Sequence, residues 1–146
     1  MKNIVISETD DYPSLVDFFV ENGLEFSAED EVPTDLVKCW KASGDDCLLV
    51  GGCVLAVREG RYICDGIATD PSVRGLGLGE RLLEVMTAEA LRMGADALYL
   101  VARAPGFFRK HGFETIPRDE APTFFECFSC PQYEVTCHPE VMRLTL

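Results

Sequence analysis

Apolar positions along the chain recur with two different periods, and the switches between them mark out an alternating run of strands and helices. Ile4 and Ile6 alternate with polar neighbours, which predicts a short strand over Asn3–Ser7. Leu15, Phe18 and Phe19 follow at helical spacing. They predict a helix from about Pro13 to Asn22, capped by Asp10 or Asp11 and ended by Gly23. A shorter helical or irregular piece then leads into a strand over Leu36–Ala42. Ser43-Gly44-Asp45-Asp46 reads as a hairpin turn into the apolar run Cys47–Val57, with a bulge expected at Gly51-Gly52. Glu59-Gly60 turns the chain into a strand over Tyr62–Thr69, which Asp70-Pro71 stops. Leu82, Leu83, Met86, Ala90 and Met93 define a long amphipathic helix capped by Gly94. Beyond it come a strand over Ala97–Ala102, a helix over Pro105–His111 capped by Gly112, and strands over Phe113–Ile116 and Val141–Leu146. The pattern predicts a mixed α/β sheet flanked by helices.

The most informative stretch lies where the central strand turns into the long helix: Arg74-Gly75-Leu76-Gly77-Leu78-Gly79. Glycines there allow positive φ angles and close approach of the backbone to a ligand. The unsatisfied N–H groups of the helix's first turn point outward with the positive end of the dipole behind them, which suits phosphate or pyrophosphate. Arg74 adds a permanent cation at the edge. No Lys-Ser/Thr follows the glycines, which excludes a P-loop. The Gly-x-Gly-x-Gly spacing, halfway along the chain, does not fit a dinucleotide fingerprint either.

What remains, Arg-x-x-Gly-x-Gly, resembles the acyl-CoA pyrophosphate loop of the GNAT acetyltransferase superfamily. Gly66-Ile67-Ala68-Thr69-Asp70-Pro71 is similar to that family's strand end, and Phe107-Phe108-Arg109-Lys110-His111-Gly112-Phe113 to its Phe-Tyr-x-x-x-Gly-Phe segment. The likeness is best over residues 61–116, and the order of elements extends it to the whole chain. It implies a mostly antiparallel sheet flanked by helices, with two central strands, Tyr62–Thr69 and Ala97–Ala102, splayed apart to admit the pantetheine arm. It further implies acetyl-CoA as co-substrate. Backbone groups of Ile67, Ala68 and Thr69 would bond the pantetheine, amides of Gly75, Leu76, Gly77, Leu78, Gly79 and Glu80 with Arg74 would hold the pyrophosphate, and Phe108 would lie beside the cofactor.

Transfer to an amine requires a deprotonated nucleophile. Asp65 is a lone carboxylate amid apolar residues on the central strand, and it matches a position where some members of the superfamily carry an acidic base. Strand alternation would put it on one face with Ile63, Ile67 and Thr69. The alternative is a structural carboxylate paired with Arg61, Arg103 or a backbone group. Phe108 stands where many members have a tyrosine acid, and Val101 where they often have asparagine. A thiol of ordinary pKa near 8.5 can leave as its anion without that acid. Tyr99 is a possible substitute donor.

Composition narrows the acceptor. The 146 residues carry a formal charge of −12, which excludes the basic surface that nucleic acid requires. Residues 1–46 hold 12 acids against 3 lysines, while the remainder holds 13 acids against 10 bases, nine of them arginine. The cation-rich part thus contains the glycine loop. The resemblance implies that the first helices and their loop frame the acceptor pocket; Glu25, Glu29, Asp30 and Glu31 lie in that stretch and would attract a cationic amine, or simply solvate the surface.

The longest apolar run is too short to cross a bilayer, and the acidic N-terminus does not resemble a signal peptide. Seven cysteines are expected to be reduced thiols. Cys127, Cys130, Cys137 and His138 have some flavour of metal ligands, against which stands the commoner outcome of small buried cysteines. The tail is similar to short GNAT members acting on glutamate-like amino acids, such as compact N-acetylglutamate synthases. Those tend to have a basic residue where this chain has Asp65. The expectation is a single cytoplasmic acetyltransferase domain spanning residues 1–146, alone or as a homodimer, acting on a primary amine of a small molecule. The alternatives are α-N-acetylation of an amino acid and a non-catalytic acyl-CoA-binding module.

Overall fold

A computed structural model describes residues 4–22, 34–44, 48–58, 60–73, 75–102, 105–117 and 140–146. The elements are β1 (Val5–Thr9), α1 (Tyr12–Glu21), β2 (Thr34–Ser43), β3 (Leu49–Arg58), β4 (Arg61–Thr69), α2 (Leu78–Arg92), β5 (Ala97–Ala102), α3 (Pro105–Lys110), β6 (Glu114–Thr115) and β7 (Glu140–Thr145). Among the described residues the strands form one sheet in the order β1-β2-β3-β4-β5-β7-β6. Every neighbouring pair is antiparallel except β4 and β5. This is the mixed, mostly antiparallel sheet flanked by helices that the sequence led us to expect.

The two main helices cover opposite faces, and two adjacent glycines make room for them. Strand side chains alternate between faces. A Cβ on Gly51 would lie 2.9 Å from Leu78 of α2, whereas one on Gly52 would lie 2.5 Å from Leu15 of α1. Both helices therefore sit against β3 backbone. The α2 face carries the main core, in which Leu82, Leu83, Met86 and Ala90 pack against Trp40, Cys53, Leu55, Leu98 and Leu100. The α1 face is smaller, with Leu15, Phe18 and Phe19 packed on Cys39 and Val54.

The bulge expected at Gly51-Gly52 falls one residue earlier. Ala42 pairs with Gly51 and Ser43 with Leu49, leaving Val50 as the extra residue. The glycines answer to helix packing rather than to the bulge. A second bulge, not foreseen, interrupts β4: Val54 pairs with Gly66 and Leu55 with Cys64, so Asp65 is the inserted residue.

Local signals were read closely. Asp11 caps α1 by accepting from the Ser14 amide at 3.3 Å and hydroxyl at 2.7 Å, and those bonds hold its carboxyl below the usual range. Asn22 closes the helix, its amide side chain donating to the Phe18 carbonyl at 2.9 Å. Gly23, the expected terminator, lies outside the described residues, as do the irregular piece before β2 and the acidic residues Glu25, Glu29, Asp30 and Glu31. Gly94 and Gly112 end α2 and α3 as expected, with Ala95 donating to Ala90 O and Phe113 to Phe108 O.

Candidate active site

The site is built around the C-terminal half of β4. Parallel β4 and β5 share a single partner pair among the described residues, Ile63 with Tyr99. Beyond it β4 runs on to Thr69 while remaining paired with β3 alone, through Gly52 to Ala68 and Gly51 to Thr69. The backbone of Ile67, Ala68 and Thr69 thus borders the gap on the β5 side, the splay implied by the family resemblance.

From Thr69 the chain passes Asp70, whose carboxylate accepts from the Ser72 amide at 2.9 Å, and a single 3-10 turn over Pro71–Val73. Val73 is buried and anchors the turn. Arg74 lies outside the described residues. Gly75 and Gly77 adopt φ of 85° and 77°, a region that side-chain-bearing residues seldom enter, and a Cβ on either would meet nothing within 4 Å. Gly77 is the N-cap of α2 and offers no side-chain acceptor, so the first-turn amides depend on something other than a cap. The first backbone bond of the helix is Arg81 N to Gly77 O at 3.1 Å. Leu78, 2 % exposed, pins the helix start into the core, and Leu76 stands out at 54 %. Glu80 lines a groove of about 350 Å³ together with Glu84, Thr87 and His111.

Gly79 serves packing as well. A Cβ there would come within 3.3 Å of the Phe107 ring, so α3 closes directly on the first turn of α2. Phe107 and Phe108 meet edge to face at 5.1 Å, and Phe108 meets Phe113 at 5.5 Å. Phe108 is 9 % exposed and belongs to the main core.

Asp65 lies on the other face. Its Oδ2 accepts from the Tyr12 hydroxyl at 2.9 Å, and its Oδ1 is 3.9 Å from Nη2 of Arg58. Arg58 is 1 % exposed, and the Asp65 side chain 8 %. The bulge overturns the expected alternation. Asp65 shares its face with Ile63, but Ile67 packs into the α2-side core and Ala68 against the α1 side. An inserted residue re-phases the strand, so Ile67, and with it Thr69, faces away from Asp65. Arg58, a cation not foreseen, lies beside Asp65. Arg61 instead stands over the Tyr99 ring at 5.5 Å, and Arg103 lies outside the described residues. Ala56, Ile63, Tyr99 and Val101 form a small apolar cluster. Because Ala56 shares a β3 face with Val54, that cluster floors the α1 side of the sheet next to Asp65.

The Asp65 charge reaches two neighbouring thiols. Burial, then the Asp65 carboxylate, push the Cys39 and Cys64 thiols up, so both stay neutral near pH 7. Cys39, Cys53 and Cys64 are free and buried. Cys127, Cys130, Cys137 and His138 fall outside the described residues.

Sequence reasoning missed Tyr12 and Arg58. Tyr12 sits 53 positions from Asp65, and nothing local signals the pairing. Arg58 carried a faint signal, as a cation two residues beyond Ala56 on the face that Val54 and Ala56 bury.

Residues 36–115 match the family model of an acetyltransferase (GNAT) domain. No curated protein matches the sequence. Among solved structures, an acetyltransferase of the GNAT family from Staphylococcus aureus Mu50 superposes with a TM-score of 0.73 at 19% identity, covering 99% of both chains. A GNAT family acetyltransferase from Elizabethkingia anophelis with acetyl-CoA bound gives 0.62 at 17%, again over 99% of each. N-acetylglutamate synthase from Neisseria gonorrhoeae, complexed with coenzyme A and N-acetylglutamate, gives 0.70 at 21%. The match covers 99% of this chain but 35% of that one. At these identities the likeness is one of fold.

Proposed function

The chain belongs to the GNAT acetyltransferase family, and from that premise we propose that it moves an acetyl group from acetyl-CoA to a primary amine of a small molecule, with Asp65 receiving the amine's proton. Acetyl-CoA supplies an activated thioester. The residues present fit it. The open, positive-φ glycines and the uncapped start of α2 suit a cradle of amide donors for a pyrophosphate, drawn from Gly75 and from Gly77 to Glu80, whereas the Leu76 amide, expected in that set, already donates to the Val73 carbonyl at 3.3 Å. Arg74, next in sequence to Gly75, would add a cation. The unpaired side of β4 at Ile67, Ala68 and Thr69 offers strand-like donors and acceptors to the pantetheine. Phe108 buttresses this region through Phe107, which touches Gly79.

The observation that carries the acceptor side is the position of Asp65, a carboxylate inserted as a bulge on the α1 face of the same strand. An alkylammonium with a pKa near 10.4 costs about 4 kcal/mol to deprotonate at pH 7, since three units at 1.36 kcal/mol each must be overcome. A carboxylate placed to accept that proton as attack begins removes part of the barrier. The phenyl ring of Phe108 has no proton to give, so in this reading the thiolate leaves as its anion.

A second reading, α-N-acetylation of an amino acid, draws on the cations of that face. Arg58 lies beside Asp65 and Arg61 over Tyr99, which suits an acceptor bearing a carboxylate next to its amine. The test is acetyl transfer from acetyl-CoA to polyamines, aminoglycosides, lysine-type peptides and amino acids, with mass detection of product. Acetylated polyamine or aminoglycoside supports the first reading, and an N-acetylamino acid the second. Absence of any product, with acetyl-CoA bound, would overturn both in favour of a binding module.

A further inference from the structure

We propose that Tyr12 is a positioning residue of the acceptor side: its hydroxyl, donated to Oδ2 of Asp65, fixes the direction of that carboxylate and favours its ionised state. The inference rests on the reading of Asp65 as the proton acceptor and adds to it a group from the opposite end of the chain.

Three observations converge on Tyr12. It opens α1, and α1 is seated firmly: Asp11 caps it through Ser14, Leu15 and Phe19 are almost fully buried, and Gly52 lets Leu15 approach the β3 backbone. A hydroxyl delivered from such a helix start arrives in a defined place. Next, Asp65 stands at a bulge, where ladder pairing is broken and the strand alone does little to orient the side chain. The hydroxyl bond at 2.9 Å supplies that orientation across 53 residues of sequence. Last, the bond is made to an oxygen that must carry charge to accept a proton, and a hydrogen bond to the charged form favours that form.

Other elements act on the same carboxylate. Arg58 from β3 places its Nη2 3.9 Å from Oδ1 and contributes positive charge there. Arg61 of β4 stands over Tyr99 of β5. Cys39 of β2 and Cys64 of β4 feel the Asp65 charge as neutral thiols. Tyr12 donates a hydrogen bond to Asp65, and removing its hydroxyl leaves the surrounding charges in place.

Tyr12→Phe tests the proposal, because it deletes one oxygen and keeps the ring that α1 packs. Two readouts are taken. The first is the carboxyl ¹³C titration of Asp65 in the labelled full chain, assigned by its loss in Asp65→Asn. The second is the pH profile of kcat/KM with acetyl-CoA and the best acceptor of the amine panel. The expected result is a carboxyl titration moved up by about one pH unit, an acid limb of kcat/KM moved with it, and an unchanged KM for acetyl-CoA. In an Asp65→Asn background, Tyr12→Phe should add almost nothing further.

A titration and acid limb left where they were, with only the melting temperature lowered, would reduce Tyr12 to a packing residue and overturn the proposal. A wild-type rate in Asp65→Asn would instead sink the base reading and, with it, any positioning role exerted through that base. Should no panel amine be acetylated, the acetyl-transfer reading fails on its own, while the carboxyl titration still decides whether Tyr12 holds Asp65.

Discussion

Asp65 is the residue on which the proposed chemistry rests. A carboxylate on a central strand is costly unless it is bonded and neutralised, and here Tyr12 and Arg58 do both. Arg58 tempers the attraction Asp65 would exert on a free cation, which fits the proposed local proton acceptor better than a long-range lure. Asp65→Asn keeps the shape and removes the basicity. It is expected to lower kcat/KM on a high-pKa amine by about 10²-fold or more, measured under steady state with acetyl-CoA saturating. An unchanged rate would return Asp65 to a purely structural pairing. The candidate itself was legible in the sequence, because a single acid among Tyr62, Ile63, Cys64 and Ile67 is conspicuous. Its surroundings were not. One inserted residue re-phased the strand, and period-two reasoning has no means of sensing an insertion made on one strand only.

Among the elements, β3 decides how close the helices come. Its Gly51-Gly52 pair invited a bulge assignment, since glycine within a strand signals either a bulge or close approach of another backbone or side chain. Close approach is the answer, with α2 on one face and α1 on the other. Gly52→Ala would force a methyl carbon to within 2.5 Å of Leu15 and 3.1 Å of the Trp40 carbonyl. The expected cost is about 1–3 kcal/mol of stability by denaturant titration, together with displacement of α1 and so of Tyr12 from Asp65. Stability equal to wild type would mean that α1 is not seated on β3 as described. Helix ends, by contrast, were readable from sequence because capping is local: Asp11 precedes its helix and Gly94 and Gly112 follow theirs. The join between β5 and β7, brought together from positions 97–102 and 140–145, has no such local signature.

Across the whole molecule, the proposed function puts two tasks on opposite faces of one sheet. The glycine loop and α2 lie on the face with the main core, and Asp65 with Tyr12 lies on the other. The splay between β4 and β5 connects the faces, so a thioester threaded through the gap from the loop side would meet an amine arriving on the α1 side. The candidate loop was legible in the sequence, since its residues are contiguous and their glycine spacing is specific. The residues gathered around Asp65 were not, because they come from α1 and β3.

The most direct test of this division is calorimetric titration of acetyl-CoA into wild type, Gly77→Asp and Asp65→Asn. Gly77 holds φ at 77° at the helix start, where a carboxylate would both strain the turn and repel a pyrophosphate. Wild type and Asp65→Asn should bind with the same Kd, while Gly77→Asp, folded as judged by its circular dichroism, should lose at least about tenfold, some 1.4 kcal/mol. Wild-type affinity in Gly77→Asp would contradict the account, for the cofactor would then be held somewhere other than the start of α2.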